Sequence, residues 1–120
     1  MNDPKSNLND NLQIRTKQFA LRIINLVSSL PNATVSTAIK RQLIRSGTSV
    51  AANTRAAFRG RSKKEYRAKL GIVVEEADES LLWMELLVEG KIISKNKIND
   101  LMEETNTLIS IFVSLLKKKE

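Results

Sequence analysis

The sequence predicts an all-α fold, an antiparallel up-down-up-down four-helix bundle. Two observations carry that reading. Apolar residues recur at spacings of three, four and seven along four long stretches, with no strand signal between them. Helix-stopping residues (Pro31-Asn32, Gly60 and Gly90) divide those stretches and leave only short links, so successive helices fold back on one another. A chain of 120 residues fits one domain with a modest core.

Residues 1–9 read as a disordered lead-in, and the bundle is assigned to residues 10–120. Helix one is expected from an N-cap at Asn9 or Asp10 to about Ser29, with Leu12, Phe19, Ile23, Leu26 and Leu30 on one buried stripe. Helix two is expected over about Thr34 to Arg59. At 100° per residue, Ile39, Leu43, Ser46, Val50, Asn53 and Ala57 fall within about 80° of one another and form its core face. Its centre, R-S-G-T-S-V-A-A-N (Arg45 to Asn53), is built mostly of small residues, so another helix can approach its backbone closely. Ser46, Ser49, Ala52 and Ala56 read as packing residues, and Asn53 as a hydrogen-bonded interior amide. Arg41, Arg45, Arg55 and Arg59 share the opposite arc as a stripe roughly 27 Å long, which suits several phosphates or a plain solvated face.

Gly60 suits the position after helix two, and Ser62 with Glu65 forms an S-x-x-E capping box that starts helix three. Lys63 and Lys64 occupy its first turn, where the helix dipole disfavours cations and where an anion would be attracted. Helix three runs to about Glu89, with Leu70, Val74, Ala77, Leu81, Met84 and Val88 on one face and Val73, Trp83 and Leu87 extending it. The run Leu81-Leu82-Trp83-Met84 surrounds the helix with apolar surface, more than a lone bundle buries. It points to self-association, the alternative being that Trp83 merely covers a bundle edge. Helix four starts near Ser94 and carries an a/d pattern of Ile98, Leu101, Thr105, Leu108, Phe112 and Leu115 before ending in three lysines.

The net charge is +7 and the pI about 9.9, which favours polyanion partners. The charges are sorted into blocks. Lys40 to Lys69 holds ten basic residues against one acid, whereas Gly71 to Gly90 holds six acids and no base. The bundle topology gathers Arg55, Arg59, Arg61, Lys63, Lys64, Arg67 and Lys117 to Lys119 at one end and leaves Glu85 and Glu89 at the other. Without cysteine or histidine there are no disulfides, no thiolate or imidazole metal sites and no Cys/His or Ser/His catalysis. Glu75, Glu76, Asp78 and Glu79 read as a solvated acidic face rather than a metal site, so neither an enzyme nor a cofactor is expected. Met1 to Asn11 lacks the apolar core of a signal peptide, and no apolar run approaches a membrane span; a cytoplasmic protein is the expectation.

The pattern Q-x-x-R-S-G-T-S-V-A-A-N (Gln42 to Asn53), followed by S-x-x-E-Y (Ser62 to Tyr66), L-G-I (Leu70 to Ile72) and E-A-x-E-x-x-x-W (Glu76 to Trp83), resembles the bacterial four-helix bundle family encoded by intervening sequences in 23S rRNA genes, often labelled S23 ribosomal protein. The resemblance spans roughly residues 12 to 116. It implies a protomer assembled as a homopentameric ring. A related branch, the accessory proteins of diversity-generating retroelements, forms similar basic pentamers that bind nucleic acid. At Thr54, Arg55 and Ala56 the chain departs from the family pattern of an apolar residue, a small residue and a glutamate, and Arg55 extends the basic stripe instead. By position, Arg45, Ser46, Asn53, Glu76, Glu79 and Trp83 match family residues.

Arg45 either contacts phosphate or pairs with Glu76 or Glu79, the pair being favoured; if buried, its loss would cost about 3–5 kcal/mol. The expected phosphate contacts are Arg41, Arg55, Arg59, Arg61, Lys63, Lys64 and Arg67; the expected interface or structural residues are Arg45, Glu76, Glu79, Leu82 and Trp83. Aromatic residues are few, so base stacking is expected to add little to a salt-sensitive, sequence-tolerant contact with RNA or DNA. The competing reading is a pentameric scaffold or adaptor whose partner is another protein.

Overall fold

The computed structural model describes residues 4–118, with side chains from residue 7. Met1 to Asp3 of the expected lead-in, and Lys119 of the terminal lysine run, lie outside the described residues. Four helices follow in order: α1 (Pro4–Ser29), α2 (Thr34–Phe58), α3 (Lys63–Glu89) and α4 (Lys95–Lys117). Each packs on its sequence neighbour, and α1 meets α4 only lightly along the closing seam. Among the described residues there is no strand, and no helix is long and apolar enough to cross a membrane.

The first helix starts earlier than expected. Residues 4–9 are helical rather than a lead-in, and Pro4 stands at the first helical position, where its fixed φ and missing N–H cost nothing. Its stripe is otherwise as read, with Leu12, Phe19, Ile23, Leu26 and Leu30 all buried. The seam to α4 is held by an ion pair that sequence reading missed: Arg15 Nε and Nη2 donate to the two carboxylate oxygens of Glu104, each at 2.7 Å. Hydrogen bonding to Glu104 raises the Arg15 pKa further above its ordinary value.

The small-residue run of α2 works on two sides. Towards α3, Ser80 Oγ lies 2.8 Å from Ser46 Oγ, a contact possible only where both side chains are short. Towards α1, a Cβ placed on Gly47 would lie 2.8 Å from Ile23 Cγ1 and 2.9 Å from Ile23 Cγ2. Ile23 is fully buried and β-branched, so it has little rotamer freedom with which to move aside. Gly47→Ala is therefore expected to destabilise the fold by about 1–3 kcal/mol. Thermal unfolding checks this, with a Tm fall of about 4 °C for each kcal/mol.

Two core assignments shift. Asn53 is not interior: it is half-buried, and its Nδ2 donates to Ser49 O at 2.9 Å and Ser49 Oγ at 2.8 Å on its own helix. Thr54 takes the buried place, its hydroxyl satisfied by Val50 O at 2.7 Å. On α3 the buried face is turned towards α2. Val73, Ser80 and Leu87 are fully buried, while Val74, Leu81 and Val88 are half-buried. Ser80 on this face meets Ser46 of α2. On α4, Ile98, Leu101, Thr105, Leu108 and Phe112 are buried as expected, and Leu115 is half-buried. The turn after α3 closes through Lys91 at φ 60°, a left-handed position taken by a non-glycine residue, with Ile92 N–H donating to Leu87 O at 2.9 Å.

Candidate nucleic-acid interface

The start of α3 is built by its cap. Ser62 Oγ accepts the Glu65 backbone N–H at 3.1 Å, the expected half of the capping box. The reciprocal half is displaced by one residue, Glu65 Oε2 accepting from Arg61 N at 3.1 Å rather than from Ser62 N. That carboxylate ties down the link between α2 and α3, so Arg59, Arg61, Lys63 and Lys64 are presented on a short, ordered turn. All four are exposed, as is Arg55 one turn earlier on α2.

The start of α1 and the end of α4 meet this turn. Arg67 Nη2 donates to Leu116 O at 2.6 Å and Nη1 to Lys118 O at 3.4 Å. Arg67 thus caps the last carbonyls of α4. It also offsets the negative end of that helix dipole, which would otherwise repel an anion. Lys117 and Lys118 follow at the same place. Between the three segments opens a cleft of about 850 Å³, with Leu8 and Asn9 from α1, Phe58 and Tyr66 from the turn region, and Leu115 to Lys118 from α4. Phe58 and Tyr66 pack with ring centroids 5.7 Å apart and planes at 45°. Among the described residues no carboxylate lines the cleft; Lys63, Arg67, Lys117 and Lys118 do.

The rest of the expected basic stripe divides differently. Arg41 is exposed but lies 18 residues before Arg59 on the α2 axis, roughly 27 Å away, so it does not join the end cluster. Arg45 between them is committed to carboxylates. Its Nη1 donates to Glu76 Oε2 at 2.7 Å, its Nη2 pairs with Glu79, and Trp83 Nε1–H donates to that same Glu79 oxygen at 3.2 Å. The network ties α2 to α3, but the Arg45 side chain is 49% exposed. Losing it in an isolated protomer therefore costs about 0.2–1 kcal/mol, not the larger figure for a buried pair. Nor is the far end acidic. Lys91, Lys95 and Lys97 share it with Glu85 and Glu89, so the bundle is basic at one end and mixed at the other. Among the described residues no acidic cluster could hold a metal ion; Glu76 and Glu79 turn to Arg45 instead.

The model of the 23S rRNA-intervening sequence protein family matches residues 11–114, nearly the whole bundle. The chain belongs to this family. A crystal structure of an S23 ribosomal protein family member of unknown function from Bacteroides thetaiotaomicron is similar over 92% of this chain and 98% of that one, at 29% identity and a TM-score of 0.85. No curated protein matches the chain. The family match includes the S-G-T-S-V-A-A-N run, Ser62 to Tyr66 and Glu76 to Trp83, the segments that form the α2–α3 contact and the basic turn.

Outside the basic end, exposed apolar residues lie on three helices, Val35 and Ile44 of α2 among them. Ile72, Leu82 and Leu86 lie on α3, where Leu82 is 46% exposed; Ile14, Leu21 and Ile24 lie on α1, where Ile14 is 57% exposed. Trp83 is half-buried and packs against the core, so Leu82 is the more exposed member of the expected interface pair. The α1 surface was not legible as such, because its residues interleave with the core stripe and the polar face.

Proposed function

We propose that this member of the 23S rRNA-intervening sequence family is a non-enzymatic, self-associating protein that binds nucleic acid through the basic end of its bundle. The observation that carries the reading is the gathering of Arg59, Arg61, Lys63, Lys64, Lys117 and Lys118 beside a cleft that no carboxylate of the described residues lines. Such an arrangement neutralises phosphates without reading base edges, so the contact is sequence-tolerant. Arg55 extends it up the side of α2. The exposed apolar residues of α1 and α3 would serve a head-to-tail contact between copies, since a ring needs two different patches on each protomer. A homopentameric ring would turn every basic end the same way and multiply a weak contact by avidity.

The test is a gel-shift titration with RNA and with DNA at two salt concentrations. Four phosphate contacts per protomer predict about a 50- to 150-fold loss of affinity between 50 and 200 mM salt. Absence of binding to either polymer at low salt would reject the reading and favour a scaffold that docks another protein.

A further inference from the structure

We infer that the cleft at the basic end receives an unpaired nucleotide, its base against the Phe58–Tyr66 pair and its phosphate among Lys63, Lys117 and Lys118. The inference rests on the nucleic-acid reading above and adds a form of substrate to it, a single strand or a frayed end. The cleft is about 850 Å³, within the roughly 300–1,000 Å³ of sites that take small organic groups. Its walls are two-sided in chemistry. Leu8, Phe58, Tyr66, Leu115 and Leu116 offer apolar and aromatic surface, while the charged lining residues among those described are all cations. An inorganic anion would leave the aromatic and aliphatic wall unused. A neutral apolar guest would leave the charges of Lys117 and Lys118 unused.

Three features favour a nucleotide. Aromatic surface next to cations is the combination on which bases stack while their phosphates are neutralised. Arg67, by holding Leu116 O and Lys118 O, quenches the helix end that would oppose a phosphate there. The cleft is also continuous along the chain with Arg59, Arg61 and Lys64, which can track the backbone of the strand beyond it. A base still paired and stacked in a duplex cannot enter, so the cleft discriminates by strand form rather than by sequence.

Fluorescence anisotropy with a labelled oligouridine strand and with a blunt duplex of equal charge tests this. Wild type should bind the strand more tightly. Tyr66→Leu, which keeps apolar volume but removes the aromatic face, should weaken strand binding about 5- to 100-fold and leave duplex binding unchanged. Tyr66→Phe should restore strand binding. Independently of any variant, 5-bromouridine in the strand should photo-crosslink wild-type protein at Phe58 or Tyr66. Crosslinks confined to other residues, or equal losses for strand and duplex, would overturn the cleft while leaving phosphate binding intact. Failure of wild type to bind either form would instead overturn the nucleic-acid reading, and the cleft with it.

Discussion

Replacing Arg59, Arg61, Lys63 and Lys64 together by alanine is expected to lower affinity for RNA or DNA by about a hundredfold or more at low salt, and to flatten the salt dependence by about three to four in log–log slope. All four side chains are exposed, and alanine is a good helix former at the start of α3, so the fold should persist. The cap that starts α3 uses the Ser62 hydroxyl and the Glu65 backbone N–H, neither of which the substitutions touch. Circular dichroism and thermal unfolding establish that the variant is folded. Filter binding then reads the loss, and an unchanged affinity would remove this end of the bundle from the interface.

The second large effect concerns assembly. Leu82→Glu combined with Leu86→Glu is expected to convert the proposed oligomer to a monomer while changing protomer stability by about 0.5 kcal/mol or less per substitution. Both residues are substantially exposed in the protomer, at 46% and 40%, so a charge there meets water unless a neighbouring copy covers it. Trp83 is a poorer probe, because it packs on the core and donates to Glu79; a charge at that position would damage the protomer and the assembly together. Sedimentation velocity distinguishes the outcomes. A double variant that still sediments as an oligomer would move the interface elsewhere, the α1 surface of Ile14, Leu21 and Ile24 being the next place to probe.

How far the sequence could be read depended on how one-sided each helix is. On α4 the residues at the a/d spacing are the ones the fold buries, up to Phe112, so its core was legible almost residue by residue. On α3 they run round the circumference, and periodicity alone could not say that Val73 and Leu87 face inward in preference to Val74 and Val88. In the structure Ser80, buried with Val73 and Leu87, meets Ser46 of α2, 34 residues away in the chain. The Arg45 network was partly legible because Arg45, Glu76 and Glu79 sit in recognisable motifs. Arg15 and Glu104 do not, and nothing in a single sequence links two residues 89 apart. Arg67 was read with its basic neighbours because its charge is visible in the sequence, whereas the α4 carbonyls that engage it are not. Phe58 gave a weak signal, an aromatic residue just before the Arg59-Gly60 stop and close to Tyr66, but only the antiparallel fold makes the two rings one wall.

Lysine acetylation footprinting with and without bound RNA tests most directly whether phosphate contact is confined to one end of the bundle, because the protein carries its own control. Lys63, Lys64, Lys117 and Lys118 should be protected by RNA, while Lys91, Lys95 and Lys97 at the opposite end react as in the free protein. Equal protection at both ends, or protection only at the far end, would contradict the account.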